Sequence, residues 1–251
     1  MLIEKKSGRS ATENRRLAVT LAGTAGILNV LALGAFGLFP SNMTGNATQL
    51  SAEVLEWDQR QMWQLLLLLL CFMGGAFTSR LLVSFGKKYH LRTIYAHILL
   101  GEGIILAVPA IGSLWLSLPV DKTLLVNMLG FLLGLHNSTS TQLSQGKVRT
   151  THITGTLTDA GITLATLLLH RVLRYSAEAR RHHQYLLSIF LTATGAFITG
   201  GIIGVLSFNL FSMQAFSLAG IVLVLVSGIT IRRTLQQQRR IAGRISPVRV
   251  P

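Results

Sequence analysis

The stretch SNMTGNATQL, Ser41–Leu50, interrupts an otherwise apolar sequence with small, polar and helix-ending residues. A second stretch, TTHITGTLTDAG over Thr150–Gly161, does the same later in the chain. Each holds a Thr-Gly pair, Thr44-Gly45 and Thr154-Gly155, followed by a further hydroxyl at Thr48 and Thr158. The chain therefore reads as two copies of one unit.

What surrounds the two stretches decides the class. Of the 251 residues, 50% are hydrophobic and only 13% charged, with a mean hydropathy of +0.51, which is too apolar for a soluble domain. The runs Leu17–Phe39, Met62–Leu82, Ile94–Ile111, Tyr185–Leu206 and Met213–Ile231 approach or reach the roughly 20 residues a helix needs to cross a bilayer. Leu124–Leu135 is shorter and continues into HNSTSTQ, His136–Gln142; if that segment crosses, its polar residues must face protein or a water-filled cavity. No alternation of apolar and polar residues suggests a membrane barrel. Leu17–Phe39 is longer than a signal-peptide core and has no clear cleavage site, so it is expected to be retained, with Pro40 ending it.

Charge gives the orientation. The net charge is +14, and the basic residues cluster between apolar runs: Lys5, Lys6, Arg9, Arg15 and Arg16 before the first, then Arg80, Lys87, Lys88 and Arg92. Further clusters are Arg171, Arg174, Arg180 and Arg181, and a C-terminal group from Arg232 to Arg249. That placement follows the positive-inside rule and points to anionic inner-leaflet lipid rather than nucleic acid as the partner. Both termini are then cytoplasmic, and the acidic loop with Glu53, Glu56 and Asp58 is outside. Counting Ile153–Leu169 as a span would turn the later basic clusters outward, so a re-entrant segment is expected there. Trp57, Trp63 and Trp115 fall on the outer side and Tyr89, Tyr95, Tyr175 and Tyr185 on the inner.

Two more matches support duplication: Gly75-Ala76-Phe77 with Gly195-Ala196-Phe197, and Gly26-x-x-Asn29 with Gly134-x-x-Asn137. Three spans per unit place the copies in opposite orientations, as in many secondary transporters. The expected fold is all-α and polytopic: one membrane domain of six spans, with inverted repeats over 17–112 and 122–231, basic tails at 1–16 and 232–251, and broken or re-entrant segments at the Thr-Gly motifs.

The motifs Met43-Thr44-Gly45-Asn46 and Arg149-Thr150-Thr151-His152-Ile153-Thr154-Gly155-Thr156-Leu157-Thr158-Asp159 resemble those of the YoaK family, bacterial inner-membrane proteins built on a domain of unknown function. The resemblance implies a polytopic inner-membrane protein and supplies no substrate. It also implies an acid on the first helix where this chain has Asn29.

Glu102, between Gly101 and Gly103 in the third apolar run, is either a proton-exchanging acid or a donor that holds two helices together. Asp159 is a second candidate for ion or proton coupling, with capping of a half-helix as its structural role. Asn29, Thr44, Gly45, Asn46, His136, Asn137, Thr154, Gly155 and Thr156 are the candidate solute ligands, since helix starts offer free N–H groups beside hydroxyls and amides. The two Thr-Gly pairs are expected to meet near the midplane with Asn29 and Asn137 beside them. His136, Asn137, His152 and Asp159 lack metal-ligand spacing, and Cys71 is alone, so neither a metal nor a disulfide is expected. No catalytic triad, phosphate loop or carboxylate pair suggests an enzyme, and no cofactor is implied. Gly130-x-x-x-Gly134 and Gly200-x-x-x-Gly204 fit close helix packing. The leading expectation is a secondary transporter or permease of a small polar solute; the alternative is a non-transporting membrane scaffold or regulator. Homo-oligomerisation is left open.

Overall fold

A computed structural model of the chain describes residues 2, 9–116, 121–172 and 174–244, with only the backbone described at 56, 108–116 and 239–244. Lys5, Lys6 and Arg249, and the side chains of Glu56, Trp115, Arg239, Arg240 and Arg244, lie outside the described set. The described residues form helices α1 (Ala11–Phe36), α2 (Met43–Glu56), α3 (Gln59–Lys88), α4 (Ile94–Leu116), α5 (Lys122–Ser144), α6 (Ile153–Leu168), α7 (Ala177–Phe211) and α8 (Ala215–Arg244). A single 3-10 turn, Ser212–Gln214, separates the last two.

Local signals set the ends. Ser10 and Glu13 form a capping box that opens α1, the Glu13 N–H donating to Ser10 Oγ and the Ser10 N–H to Glu13 Oε2. α1 closes at Gly37, whose φ of 74° is the left-handed cap and whose N–H donates to the Leu33 carbonyl. Glycine, not the expected Pro40, therefore stops this helix. Three helical stretches, Ala11–Phe36, Gln59–Lys88 and the α7–α8 segment Ala177–Gln238, are long and apolar enough to cross a membrane. On α3, Leu67, Leu70, Met73, Phe77 and Leu81 lie exposed on the outside of the bundle, where water would penalise them and lipid does not. These are the properties of a helical membrane protein.

α5 runs on through the HNSTSTQ segment as one helix of 23 residues, and those polar side chains face protein. The polar side chains are used in packing: Ser138 Oγ donates to the Ala76 carbonyl, Thr139 meets Ser79 at 2.9 Å, and Arg80 Nη1 donates to Gln142 Oε1. A helix that bonds its hydroxyls across a neighbour needs no water-filled cavity there.

Side chains fix the relative directions. α1 and α7 run parallel, since Asn14 Nδ2 donates to Tyr185 Oη, Arg15 Nε donates to Ser188 Oγ, and Gly34 meets the Phe208 ring. α3 and α5 are parallel by the Ala76–Ser138, Ser79–Thr139 and Arg80–Gln142 contacts. Lys147, just past α5, lies 5.6 Å from the centroid of Tyr185, which itself bonds Asn14 at the start of α1; α5 and α1 are therefore antiparallel. One end of the bundle thus gathers the starts of α1, α4 and α7 with the ends of α3, α5 and α8. That end carries most of the basic residues, and Glu53, Asp58 and Asp121 lie at the other.

The packing is unchanged when α1–α4 are exchanged for α5–α8. α1 packs on α7 as α5 packs on α3, α2 on α3 as α6 on α7, and the α1–α5 and α4–α8 contacts map onto themselves. Glycines show the register. A methyl on Gly26 would overlap the Phe197 carbonyl, and one on Gly134 the Phe72 carbonyl; one on Gly75 would overlap the Phe131 carbonyl, and one on Gly200 that of Gly23. Gly75 therefore corresponds to Gly200, not to the sequence-matched Gly195, whose added methyl would meet nothing. Similar tripeptides misled because helix register is set by which glycine faces the neighbouring backbone.

Candidate functional site

Two loop cradles and one buried acid–histidine pair concentrate the polar chemistry of the core. Asn29 lies about two turns, or ~10 Å, short of the end of α1. Its Oδ1 nevertheless accepts both the Ser41 N–H at 3.3 Å and the Ser41 hydroxyl at 2.8 Å. The chain after α1 therefore folds back into the bundle before α2 begins. Asn137 stands the same distance before the end of α5, and its Oδ1 accepts the Thr150 N–H and hydroxyl at 3.1 and 3.3 Å. α2 and α6, of 14 and 16 residues, then rise ~21 and ~24 Å, too short for a ~30 Å hydrocarbon core.

Within the cradles the matched residues behave alike. Thr44 and Thr154 are exposed, Gly45 and Gly155 half-buried, Asn46 and Thr156 buried. Thr48 and Thr158 hydroxyls donate to the carbonyls of Thr44 and Thr154. The N-caps differ: Asn42 Oδ1 accepts the Gly45 N–H, whereas His152 in the matching place makes no side-chain cap bond. Asn46 Nδ2 donates to the Phe39 carbonyl and ties the first loop further. Asp159 lies in the second turn of α6, half-buried, so it is not the cap the sequence suggested.

The structure does not bring the two Thr-Gly pairs together. α2 packs on α3 and α6 on α7, and α2 and α6 make no contact with each other. The loops enter from opposite ends of the bundle, and the expectation of one site shared by direct contact is corrected. The reason is the antiparallel α1–α5 core, which stands between them.

What the structure does bring together is Glu102 and His136. Both are buried, and Nδ1 of His136 lies 2.9 and 3.0 Å from the two carboxyl oxygens of Glu102. On the ring's other side Nε2 lies 3.0 Å from the Leu21 carbonyl. The pair thus joins α4, α5 and α1. A carbonyl only accepts, so Nε2 must carry a hydrogen. The Nδ1–Glu102 contact then needs one more hydrogen, on the imidazole as an ion pair or on the carboxyl as a neutral pair. Losing it would set a ring lone pair against a carboxylate, so release of that hydrogen requires the two side chains to move apart.

Residues 17–229 match a family described as a protein of unknown function, DUF1275. The chain belongs to that family. No curated protein and no solved structure matches the chain.

The sequence singled out Glu102 and His136 but gave them separate roles. It missed Ser41, Thr150, Ser79 and above all Leu21, whose contribution is a backbone carbonyl that any residue could supply. Among the described residues no group of three or more His, Cys, Asp or Glu side chains could hold a metal ion.

Proposed function

We propose that this protein is a secondary transporter of a small polar solute in a bacterial inner membrane, with Glu102 and His136 as its proton-coupling pair. In this reading six helices cross the bilayer, α2 and α6 are re-entrant limbs, the halves form an inverted repeat and both termini are cytoplasmic. The observation that carries it is the buried Glu102–His136 contact, a one-proton device joining helices of both halves. Ionisable groups at membrane depth are costly and mark ion or proton paths. The exchangeable packing and antiparallel α1–α5 core support the inverted repeat, and the basic end supports the orientation. Thr44 to Asn46 and Thr154 to Thr156 then serve as two half-sites, one facing each side, with Asn29 and Asn137 holding their loops; Asp159 lies beside the second.

The separation of the two Thr-Gly pairs favours a second reading, a non-transporting scaffold in which the cradles only close the bundle. Cysteine at Thr44 or Thr154, in a Cys71→Ser background, separates the two. A charged, membrane-impermeant thiol reagent should modify Thr44→Cys from outside intact cells and Thr154→Cys from the cytoplasmic side of inverted vesicles. Unreactivity at both positions from both sides would sink the transport reading. Reaction from the reversed sides would overturn the orientation.

A further inference from the structure

At the basic end α1 and α8 part. They meet at the opposite end through Phe36 and Phe216, whose rings lie 6.2 Å apart, but between the start of α1 and the end of α8 a cleft of about 550 Å³ opens. It is lined by Arg15, Arg16 and Arg233 and, further along the two helices towards the middle of the bundle, by Val19, Val226 and Ile229. Among the described residues no carboxylate lines it. Arg15 is held against α7 by its bond to Ser188, while Arg16 and Arg233 are exposed and have no ion-pair partner among the described residues. The nearby acid, Glu13, is bonded to the Ser10 N–H in the capping box.

We propose that this cleft is a binding site for one anionic phospholipid, with the phosphate on Arg16 and Arg233 and an acyl chain along the apolar wall. Guanidinium groups match phosphate oxygens in charge and in bidentate geometry. Val19 lies about one turn from Arg16 and Val226 about two turns from Arg233, so the apolar wall runs ~5 to 10 Å deeper than the charges. A free phosphate would satisfy the rim and leave that wall bare; a phospholipid fills both. The matching half of the molecule argues that the arginines are not needed to build the helix. In the register that pairs Gly26 with Gly134, Arg15 and Arg16 correspond to Thr123 and Leu124. The proposal does not depend on whether the protein transports anything.

The test uses the full chain, purified in a neutral detergent, with bound lipid counted by native mass spectrometry. Phosphatidylglycerol, phosphatidylcholine and inorganic phosphate are offered separately and in competition. Phosphatidylglycerol should bind one per chain, and Arg16→Gln/Arg233→Gln should weaken it about tenfold by removing the charge-assisted bonds. Val226→Trp, which keeps every charge and fills the apolar wall, should weaken it too. Arg171→Gln/Arg174→Gln, at the same end but outside the cleft, should not. Equal loss in that control would show diffuse attraction to the basic end and overturn the site. Equal retention of phosphatidylcholine, or displacement of the lipid by equimolar inorganic phosphate, would also overturn it. Circular dichroism and gel filtration check that each variant is folded, and the two cleft variants fail by different routes.

Discussion

The two halves of this molecule share their construction and differ in their chemistry. Asn29 holds Ser41 as Asn137 holds Thr150, and Gly26 admits the Phe197 carbonyl as Gly134 admits that of Phe72. Gly103 and Gly220 face each other's backbone across the α4–α8 contact, which sets the remaining register. In that register Glu102 corresponds to Ala219 and His136 to Leu28, both buried and apolar. What both halves carry is what the fold needs. What one half carries alone, the buried acid and its histidine, is not required to pack four helices, since the other half packs without it.

The largest effect expected from this comparison concerns the glycines. Gly200→Ala places a methyl onto the Gly23 carbonyl, and a backbone cannot step aside as a flexible side chain can. Thermal unfolding in detergent should show a loss of about 3 kcal/mol or more. Gly195→Ala meets open space and should be neutral or up to about 1 kcal/mol stabilising through helix propensity. If Gly195→Ala is the harmful change, the correspondence of Gly75 with Gly200 fails.

A smaller effect sharpens the contrast. Glu102→Ala leaves the His136 ring nitrogen buried without its partner and should cost about 3 kcal/mol, as breaking a buried pair from one side does. The double variant Glu102→Ala/His136→Leu rebuilds the layer that Ala219 and Leu28 form in the other half. It should recover to within about 1 kcal/mol of the parent protein, because a well-packed apolar layer replaces a buried pair at little cost. Should the double variant be as unstable as the single one, the pair would be structural and the single-copy argument would fall. Glu102→Gln keeps shape and hydrogen bonding, so a stable but inactive Glu102→Gln protein would assign the acid to function.

Much of the scaffold could be read from residues, and the reason it could is periodic. Apolar length finds spans, Thr-Gly finds the breaks, and the basic clusters find one end of the bundle. What the polar run from His136 packs against was hidden because hydropathy counts hydroxyls as exposed, whereas Ser138, Thr139 and Gln142 are spent on α3. Pairing of Glu102 with His136 was hidden because it joins α4 to α5 and is completed by a carbonyl on α1. Separation of the two Thr-Gly pairs was hidden for a different reason: a repeated motif shows that two segments are alike, not how far apart they lie, and the antiparallel α1–α5 packing brings the two loops in from opposite ends.

The last and smallest effect tests whether the loops are duplicates in energy as well as in geometry. Asn29→Ala and Asn137→Ala each remove the acceptor of a backbone N–H and a hydroxyl at the point where the chain turns back into the bundle. The groups left behind are those of Ser41 and Thr150, both buried, so water cannot fully replace the amide. Each variant should lose about 1 to 2 kcal/mol, the range for a buried group deprived of its partner. The two losses should agree within about 0.5 kcal/mol, and they should add in the double variant, because distant sites without shared partners are independent. Hydrogen exchange gives the local readout: the Ser41 amide should lose protection only in Asn29→Ala, and the Thr150 amide only in Asn137→Ala. A loss confined to one half would mean that the Thr-Gly turns are held by different forces despite their matching contacts. In that case Asn46, which also ties the first loop through the Phe39 carbonyl, would be the residue that carries the difference.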